Sequence, residues 1–456
     1  MNNSARRAGI LLPLTALPGG GSLGGEAYAF VDFLVAAGQS VWQVLPVGPV
    51  GKSRSPYQSM SAFAGNPAFV DEKMLGQPLE EAVLRFDLGG ADYQKFLREN
   101  AAWLDGFALF EAVHVRLRKP LDLWPDELRN PQDKTLAELS REHAEAVERT
   151  KVVQYFFWSQ WKELKAYANL KGVGIVGDLP FYVSADSADF WLSRRAFDTQ
   201  PDGRPASSAG VPPDDYAAGG QVWNVPVYAW GKRKKEVFAL WRSRLAQAAR
   251  LYDGVRIDHF RALADYYAYP AGGGEGAWHP GPGAAFIDMV KRDFPGLEVI
   301  AEDLGDLSDA AHALRAYSGF PGMKVLQFAF TGNADNPYLP HNIESNSVCY
   351  TGTHDNNTTV GYVRAASAGE AAFALRYLGL SGDRAALPGA LLRTALMSRS
   401  ETAIIPMQDW LGLGAGARMN KPATVGGRNW KWQLSPGALT GGLAARIRGM
   451  TEMYGR

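Results

Sequence analysis

Short apolar runs alternate with amphipathic stretches along most of the chain, and this alternation predicts strands separated by helices. A typical helical stretch is residues 27–38, which carries Phe30, Phe33 and Leu34 at helical spacing and closes on Gly38. The apolar runs begin near eight positions: Gly9, Val41, Gly174, Val255, Val299, Lys324, Val348 and Ala403. Eight alternating strand and helix units predict an α/β fold, a (β/α)8 TIM barrel with parallel strands.

Two long stretches interrupt the alternation, and both are expected to be insertions between barrel strands. Residues 71–171 are charged and helical in pattern, which predicts a largely helical insertion. Residues 194–226 contain several Gly and Pro residues and predict a loop or flap carrying Tyr216 and Trp223. An open doubly wound sheet is the alternative, but no Gly-x-Gly-x-x-Gly motif follows a predicted strand. We therefore expect one catalytic barrel domain over residues 1–456.

Several of the predicted strands end in acidic residues. In residues 252–260, Val255 and Ile257 alternate with Arg256 and an aspartate, and His259 follows. Four predicted strands end this way, at Asp178, Asp258, Glu302 and Asp355. An ion pair that merely closes a strand is one interpretation of Arg256 and its neighbour. The other is an active site, because a barrel brings the carboxyl ends of its strands together at one mouth.

Composition and charge narrow the class of partner. Lys and Arg number 47, as do Asp and Glu, so no basic excess indicates nucleic acid and no polybasic tail indicates a membrane. The apolar run at residues 10–17 is broken by Pro13 and is too short to span a bilayer. The single cysteine, Cys349, cannot form an internal disulfide, which is typical of a reducing compartment. We expect a cytoplasmic protein that binds neither nucleic acid nor membrane.

Carboxylates surrounded by aromatic residues suit the chemistry of sugars, and the chain has 13 Trp, 18 Tyr and 21 Phe. A glycosidic bond breaks through a cation-like transition state that a carboxylate stabilises, while a protonated carboxyl donates to the leaving oxygen. A retaining reaction requires the two groups to lie about 5–5.5 Å apart. Arg256 is expected to keep Asp258 ionised, whereas Glu302 requires a less charged setting.

A metal site is the alternative use for the same residues: Asp258, His259, Glu302, His354 and Asp355. Each histidine directly adjoins an aspartate, so on a strand the two side chains of each pair would point to opposite sides. No His-x-x-x-His motif and no cysteine pair favours zinc. We therefore expect no metal and no cofactor.

Several longer motifs add to this interpretation, and they span nearly the whole chain: Ser55-Pro56-Tyr57-Gln58-Ser59, Ala64-Gly65-Asn66-Pro67, Gly177-Asp178, Val211-Pro212-Pro213-Asp214, Arg256-Ile257-Asp258-His259-Phe260-Arg261, Ala301-Glu302-Asp303-Leu304-Gly305, Pro321-Gly322-Met323-Lys324-Val325-Leu326-Gln327-Phe328, Gly352-Thr353-His354-Asp355-Asn356, Arg418-Met419-Asn420 and Asn429-Trp430-Lys431-Trp432. In these motifs and their order the chain resembles the 4-α-glucanotransferases of the amylomaltase, or disproportionating-enzyme, family, which are relatives of the α-amylases.

The resemblance implies a retaining double displacement that transfers a segment of an α-1,4-glucan to the 4-hydroxyl of glucose or of a maltooligosaccharide. A retaining α-glucan hydrolase of the α-amylase type is the alternative, because the residues do not decide whether sugar or water reaches the covalent intermediate. A non-catalytic glucan-binding protein is a third possibility, which the presence of all three acids disfavours.

The resemblance also implies a role for each residue. Asp258 corresponds to the nucleophile, Glu302 to the acid/base and Asp355 to the residue that holds the donor sugar. Further contacts to the substrate are implied for Arg256, His354, His259, Tyr57, Trp223, Asp178, Asp214 and Gln221. The chain departs from the family in the flap, where the usual Trp-Gly-Asn-Pro is Trp223-Asn224-Val225-Pro226. This difference concerns the acceptor and the flap rather than the carboxylates.

Overall fold

A computed structural model describes residues 6–213 and 220–456. The strands, in chain order, are β1 (Arg7–Leu11), β2 (Val41–Gln43), β3 (Gly174–Leu179), β4 (Ser207–Val211), β5 (Gln221–Pro226), β6 (Gly254–Ile257), β7 (Asp265–Pro270), β8 (Ala277–Pro280), β9 (Glu298–Ala301), β10 (Gly322–Val325), β11 (Ser347–Tyr350) and β12 (Thr402–Pro406). The α-helices are α1 (Gly25–Ala36), α2 (Glu72–Leu75), α3 (Leu79–Leu84), α4 (Ala91–Asn100), α5 (Leu104–Leu117), α6 (Asp126–Arg129), α7 (Asp133–Glu142), α8 (Ala144–Leu170), α9 (Ala188–Leu192), α10 (Lys234–Leu251), α11 (Ala284–Asp293), α12 (Asp309–Ser318), α13 (Thr359–Ala365), α14 (Ala368–Tyr377), α15 (Leu387–Met397), α16 (Met407–Trp410) and α17 (Gly441–Met453).

Eight of the described strands form a closed parallel barrel in the order β1-β12-β11-β10-β9-β6-β3-β2. Closure is made by β1, which pairs in parallel with both β2 and β12. The eight barrel strands coincide with the eight apolar runs of the sequence, so the predicted TIM-barrel fold is confirmed. The helices between β2 and β3 run from α2 to α8, in the stretch where the sequence predicted a helical insertion.

Along each barrel strand, side chains point alternately into the barrel and out towards the surrounding helices. In β2 and β3, Val41 and Val176 belong to a small apolar cluster that also contains Tyr350. Their neighbours Trp42 and Ile175 belong to the large cluster that packs against the surrounding helices.

The central strand β6 follows the same rule. Val255 and Ile257 are fully buried members of the large outer cluster, so the residue between them, Arg256, points the other way. The guanidinium of Arg256 donates from Nε to the sulfur of Met323, which belongs to the interior cluster, at 3.4 Å. Alternation along one short strand therefore places a cation inside the barrel.

A second, antiparallel sheet has the strand order β5-β4-β7-β8 and was not predicted. Residues 194–226 were expected to form a loop or flap but contain β4 and β5, and β8 lies at residues 277–280, where no strand was predicted. The reason is local composition: β4 reads Ser-Ser-Ala-Gly-Val, and all four residues of β8 are exposed. Neither strand shows the apolar alternation from which strands are predicted.

No helix within residues 6–213 and 220–456 is long and apolar enough to cross a membrane.

Candidate active site

A buried guanidinium lies at the centre of the candidate site. Arg256 donates from Nη1 to both carboxylate oxygens of Asp178, at 2.9 Å each, and its Nη2 lies 2.9 Å from Oδ1 of Asp258. Strand register explains the first contact, because Asp178 of β3 is the direct partner of Arg256 in β6. Tyr57, from the loop after β2, donates its hydroxyl to Oδ2 of Asp178 at 2.9 Å. One cation therefore bridges two of the predicted acids.

The two acids bound by Arg256 differ in exposure. The side chain of Asp178 has no exposed surface, whereas 30% of the Asp258 side chain is exposed. Burial raises the pKa of Asp178, and the charge of Arg256 opposes that shift. Burial acts to lower the pKa of Arg256, but the carboxylates of Asp178 and Asp258 outweigh it, so the guanidinium stays charged. Asp258 is thus the member of the pair that is open to a ligand, and Arg256 is its ion-pair partner.

Glu302 lies on the neighbouring strand end in a different environment. It directly follows β9, which pairs with β6 so that Ala301 lies beside Ile257. Oε2 accepts a hydrogen bond from the backbone amide of His259 at 2.7 Å, and Oε1 accepts one from the amide of Leu304 at 3.3 Å. Burial raises the pKa of Glu302 to about 7, although Arg256 acts in the opposite direction.

The backbone of His259 makes this arrangement possible. Its φ of 49° places it in the left-handed region, so the chain turns sharply after Asp258 and the amide faces Glu302. Burial lowers the pKa of the His259 imidazole to about 4. The strand therefore ends abruptly with Asp258 in the cleft and a neutral imidazole beside it.

Asp355 lies five residues beyond β11, so the prediction that it ends a strand is wrong; the segment Thr351–Gly352–Thr353–His354 intervenes. Oδ1 accepts from Nδ2 of Asn420 at 2.6 Å, and Oδ2 lies 3.4 Å from Nε2 of His354. Burial acts to raise the pKa of Asp355, but His354 outweighs it and lowers that pKa to about 2. The pKa of His354 is raised in turn, because Asp355 overcomes the effect of burial.

Two residues of the Asp355 environment were missed by sequence reasoning. Arg418 donates to the backbone carbonyl of Asp355, and the backbone amide of Asn420 donates to the backbone carbonyl of His354 at 3.0 Å. Both residues belong to the motif Arg418-Met419-Asn420, to which no role was assigned. That motif was the available signal.

An aromatic group lines the same side of the cleft. The rings of Tyr57 and His354 stack with centroids 5.2 Å apart and an interplanar angle of 19°. The ring centroid of Trp430 lies 6.0 Å from that of Tyr57 and 5.9 Å from that of His354. No role was assigned to Trp430 from the sequence. Tyr57 is therefore anchored by its hydroxyl to Asp178 and by its ring to His354.

The flap residues Gln221 and Trp223 lie on β5, and Trp223 contacts His259. The rings of Trp223 and His259 meet edge to face at 4.9 Å, and Trp223 donates from Nε1 to Oε1 of Gln221 at 3.4 Å. Asn224, at the position where the resemblance leads us to expect Gly, has a φ of 56°. Asparagine is among the few residues besides glycine that adopt this conformation readily, so the departure keeps the local backbone. The predicted contact Asp214 lies outside the described residues.

In the part of the chain that the structure describes, no group of three or more His, Cys, Asp or Glu residues is placed to hold a metal ion.

Comparison with known proteins identifies similar sequences and structures. A family model described as 4-alpha-glucanotransferase matches residues 12–88 and 78–440. The 4-alpha-glucanotransferase of Thermus thermophilus is 40% identical over 494 aligned positions, which cover 98% of each chain. The 4-alpha-glucanotransferase of Streptococcus pneumoniae is 38% identical over 494 positions, covering 99% of this chain and 97% of the relative.

A solved structure described as amylomaltase from Streptococcus agalactiae in complex with acarbose superposes with a TM-score of 0.93, at 36% identity over 99% of both chains. The amylomaltase of Corynebacterium glutamicum, at 17% identity and a TM-score of 0.76, shares the fold over 99% of this chain and 75% of that one. The chain belongs to the 4-alpha-glucanotransferase family.

Proposed function

We propose that this protein is a retaining 4-α-glucanotransferase that moves a segment of an α-1,4-glucan to the 4-hydroxyl of glucose or of a maltooligosaccharide. One observation carries the proposal. Two neighbouring strands end in carboxyl groups with opposite environments, Asp258 paired with Arg256 and Glu302 with its pKa raised to about 7. That division supplies an ionised nucleophile and a protonated acid at the same pH.

In the first step, Oδ of Asp258 attacks the anomeric carbon of the donor and the bond to the glycosidic oxygen breaks. Glu302 gives its proton to that oxygen, so the shortened glucan leaves with a free 4-hydroxyl. In the second step, ionised Glu302 takes the proton from the 4-hydroxyl of the acceptor, whose oxygen displaces Asp258. Two inversions at one carbon retain the α configuration, and both steps use only the chain's own carboxyl groups.

The remaining site residues bind and orient the sugar in this proposal. Asp355 and His354 bind hydroxyls of the donor, and their contacts to Asn420 and Trp430 keep them in place. Stacking on glucose rings is assigned to Tyr57 and Trp223, and hydroxyl contacts to His259, Gln221 and Asp214. Asp178 has no exposed surface, so it acts through Arg256 and Tyr57 rather than on the sugar.

The proposed acid predicts how the rate depends on pH. A raised pKa keeps Glu302 protonated up to about pH 7, so activity is present below this pH and is lost above it. We expect kcat/KM for maltotriose to fall about tenfold per pH unit on the alkaline side. Initial rates between pH 5 and pH 9 measure this. A rate that stays constant to pH 9 would contradict the assignment of Glu302 as the acid.

Incubation with maltotriose tests the proposed function itself. We expect free glucose together with maltotetraose, maltopentaose and longer chains, because a sugar hydroxyl intercepts the intermediate before water does. Mass spectrometry of the products over time measures their lengths. Glucose and maltose with nothing longer would instead identify a hydrolase with the same carboxylates.

The donors and acceptors of this reaction are neutral sugars, and no nucleic acid or membrane takes part in the proposal. We also propose a cytoplasmic location, which is supported by Cys349, the sole cysteine, lying buried as a free thiol.

A further inference from the structure

The loop that carries His354 and Asp355 connects β11 to α13, and one carboxylate ties its two ends together. Thr351, directly after β11, donates from Oγ1 to Oδ2 of Asp409 at 2.6 Å. The backbone amide of Thr359, the first residue of α13, donates to Oδ1 of Asp409 at 2.7 Å. Asp409 follows the last barrel strand, β12, and so reaches the loop from the adjacent strand end.

Asp409 does not face the cleft. It is 4% exposed, and Thr351 and Thr359 have no exposed surface. Burial raises the pKa of Asp409 to about 6, and the hydrogen bonds from Thr351 and Thr359 only partly oppose this. A carboxylate this deep in the protein costs folding free energy unless its hydrogen bonds offset the lost hydration. Those described for its side-chain oxygens come from the two ends of the Asp355 loop.

The opposite side of the loop is held separately, at its tip. Nδ2 of Asn420 donates to the carboxylate of Asp355, and its backbone amide donates to the carbonyl of His354. Within the loop, Oδ1 of Asn356 accepts from both the backbone amide and the hydroxyl of Thr353, at 2.9 Å each. Asn420 and Arg418 hold the loop near Asp355, and Asp409 holds the residues where it leaves β11 and enters α13.

We propose that Asp409 is a positioning residue for the transferase reaction: by clamping Thr351 and the amide of Thr359, it sets the place of the Asp355 carboxylate in the cleft. Asp409 touches no substrate and acts through Asp355. The inference rests on the proposed function, since it concerns the residue that holds the donor sugar. Misplacement of such a group by about 1 Å lowers the rate by as much as ~100-fold.

The first test is Asp409→Asn, which keeps the shape of the side chain. The asparagine oxygen can still accept from the amide of Thr359, but its NH2 group can only donate, so the Thr351 hydroxyl loses its carboxylate acceptor and keeps at best a weaker, neutral hydrogen bond in which it accepts. We expect kcat for maltotriose disproportionation to fall about tenfold or more, measured per folded protein well below the melting temperature. Circular dichroism verifies that the variant is folded. An unchanged kcat in folded Asp409→Asn overturns the inference.

A second measurement separates positioning from a general effect on folding. Asp409→Asn is placed on the Asp355→Asn background, with α-maltosyl fluoride as a reactive donor so that the residual rate can be measured. Because Asp409 acts through Asp355, we expect no further loss beyond about twofold in the double variant. The same fractional loss on both backgrounds would mean that Asp409 supports the protein generally, and the inference would fail.

Thr351 provides a matched pair in case Asp409→Asn does not fold. Thr351→Val is nearly the same size but lacks the donor hydroxyl, whereas Thr351→Ser keeps it. We expect Thr351→Val to lose activity as Asp409→Asn does and Thr351→Ser to keep most of it; equal rates would overturn the inference. Thr394→Val is the control, because Thr394 in α15 is buried and donates to the carbonyl of Ala390, away from the site.

The wild-type protein distinguishes failure of the proposed function from failure of the positioning role. If it forms longer chains from maltotriose while Asp409→Asn keeps full kcat, only the positioning role fails. If the wild-type protein forms none, the proposed function fails and the positioning role fails with it.

Discussion

Replacement of Asp258 by asparagine is expected to lower kcat for maltotriose by about 10⁴-fold or more, because the amide cannot form the covalent intermediate. The fold is expected to survive. The side chain of Asp258 is partly exposed, and Arg256 keeps its two hydrogen bonds to Asp178 when Asp258 loses its charge. Product formation over hours at high enzyme concentration measures the residual rate.

The matched control for this variant lies at the other end of the same strand. Asp253 directly precedes β6 and accepts hydrogen bonds from the amide of Ile175 and from Nδ2 of Asn169. In a barrel this end contributes to stability rather than to chemistry, so Asp253→Asn is expected to keep kcat within about twofold while lowering the melting temperature. Activity in Asp258→Asn close to that of Asp253→Asn would refute the nucleophile assignment.

Replacement of Glu302 by glutamine is expected to lower kcat for maltotriose by about 10³-fold, since the leaving oxygen is no longer protonated. The loss depends on the donor. Fluoride leaves without a proton, so α-maltosyl fluoride is expected to react with Asp258 in the variant at a rate close to that of the wild-type protein. The second step still lacks its base, and the covalent glycosyl adduct accumulates.

Mass spectrometry of the intact Glu302→Gln variant after mixing with α-maltosyl fluoride measures the adduct, and peptide mapping locates it. We expect the mass of one maltosyl unit on the peptide that contains Asp258. Glu298→Gln is the control on the same strand, because Glu298 lies at the opposite end of β9 in an exposed ion pair with Arg7. An adduct on another residue would overturn the assignment of Asp258, and rapid turnover without an adduct would overturn that of Glu302.

The barrel was predictable because its strands are bounded apolar runs, and each run carries its own signal. The same holds for Arg256 and Asp258, whose places follow from alternation along β6. β4 and β8 had no such signal. Their sequences show no apolar alternation, and both are held as strands by backbone pairing with β7. Strands could therefore be predicted from the sequence where their burial requires apolar residues.

The surroundings of the predicted site residues were less accessible than the residues themselves. Asn420 meets Asp355 across 65 positions of sequence, and no spacing rule connects two loops that follow different strands. Asp178 was predicted to contact the substrate, whereas in the structure its side chain is fully buried and paired with Arg256. How deeply such a side chain is buried depends on tertiary packing, which the periodicity of the sequence does not show.

The antiparallel sheet has a consequence for how this molecule can diverge. Trp223 belongs to β5, which is hydrogen-bonded to β4 and through it to β7, in a sheet separate from the barrel. Asp258 and Glu302, by contrast, are fixed by β6 and β9 of the barrel itself. Substitutions in β5 can therefore change the surface beside His259 without disturbing the strands that hold the two carboxyl groups. At Asn224, whose φ is 56°, the choice of residue is limited by the backbone of β5 rather than by the barrel.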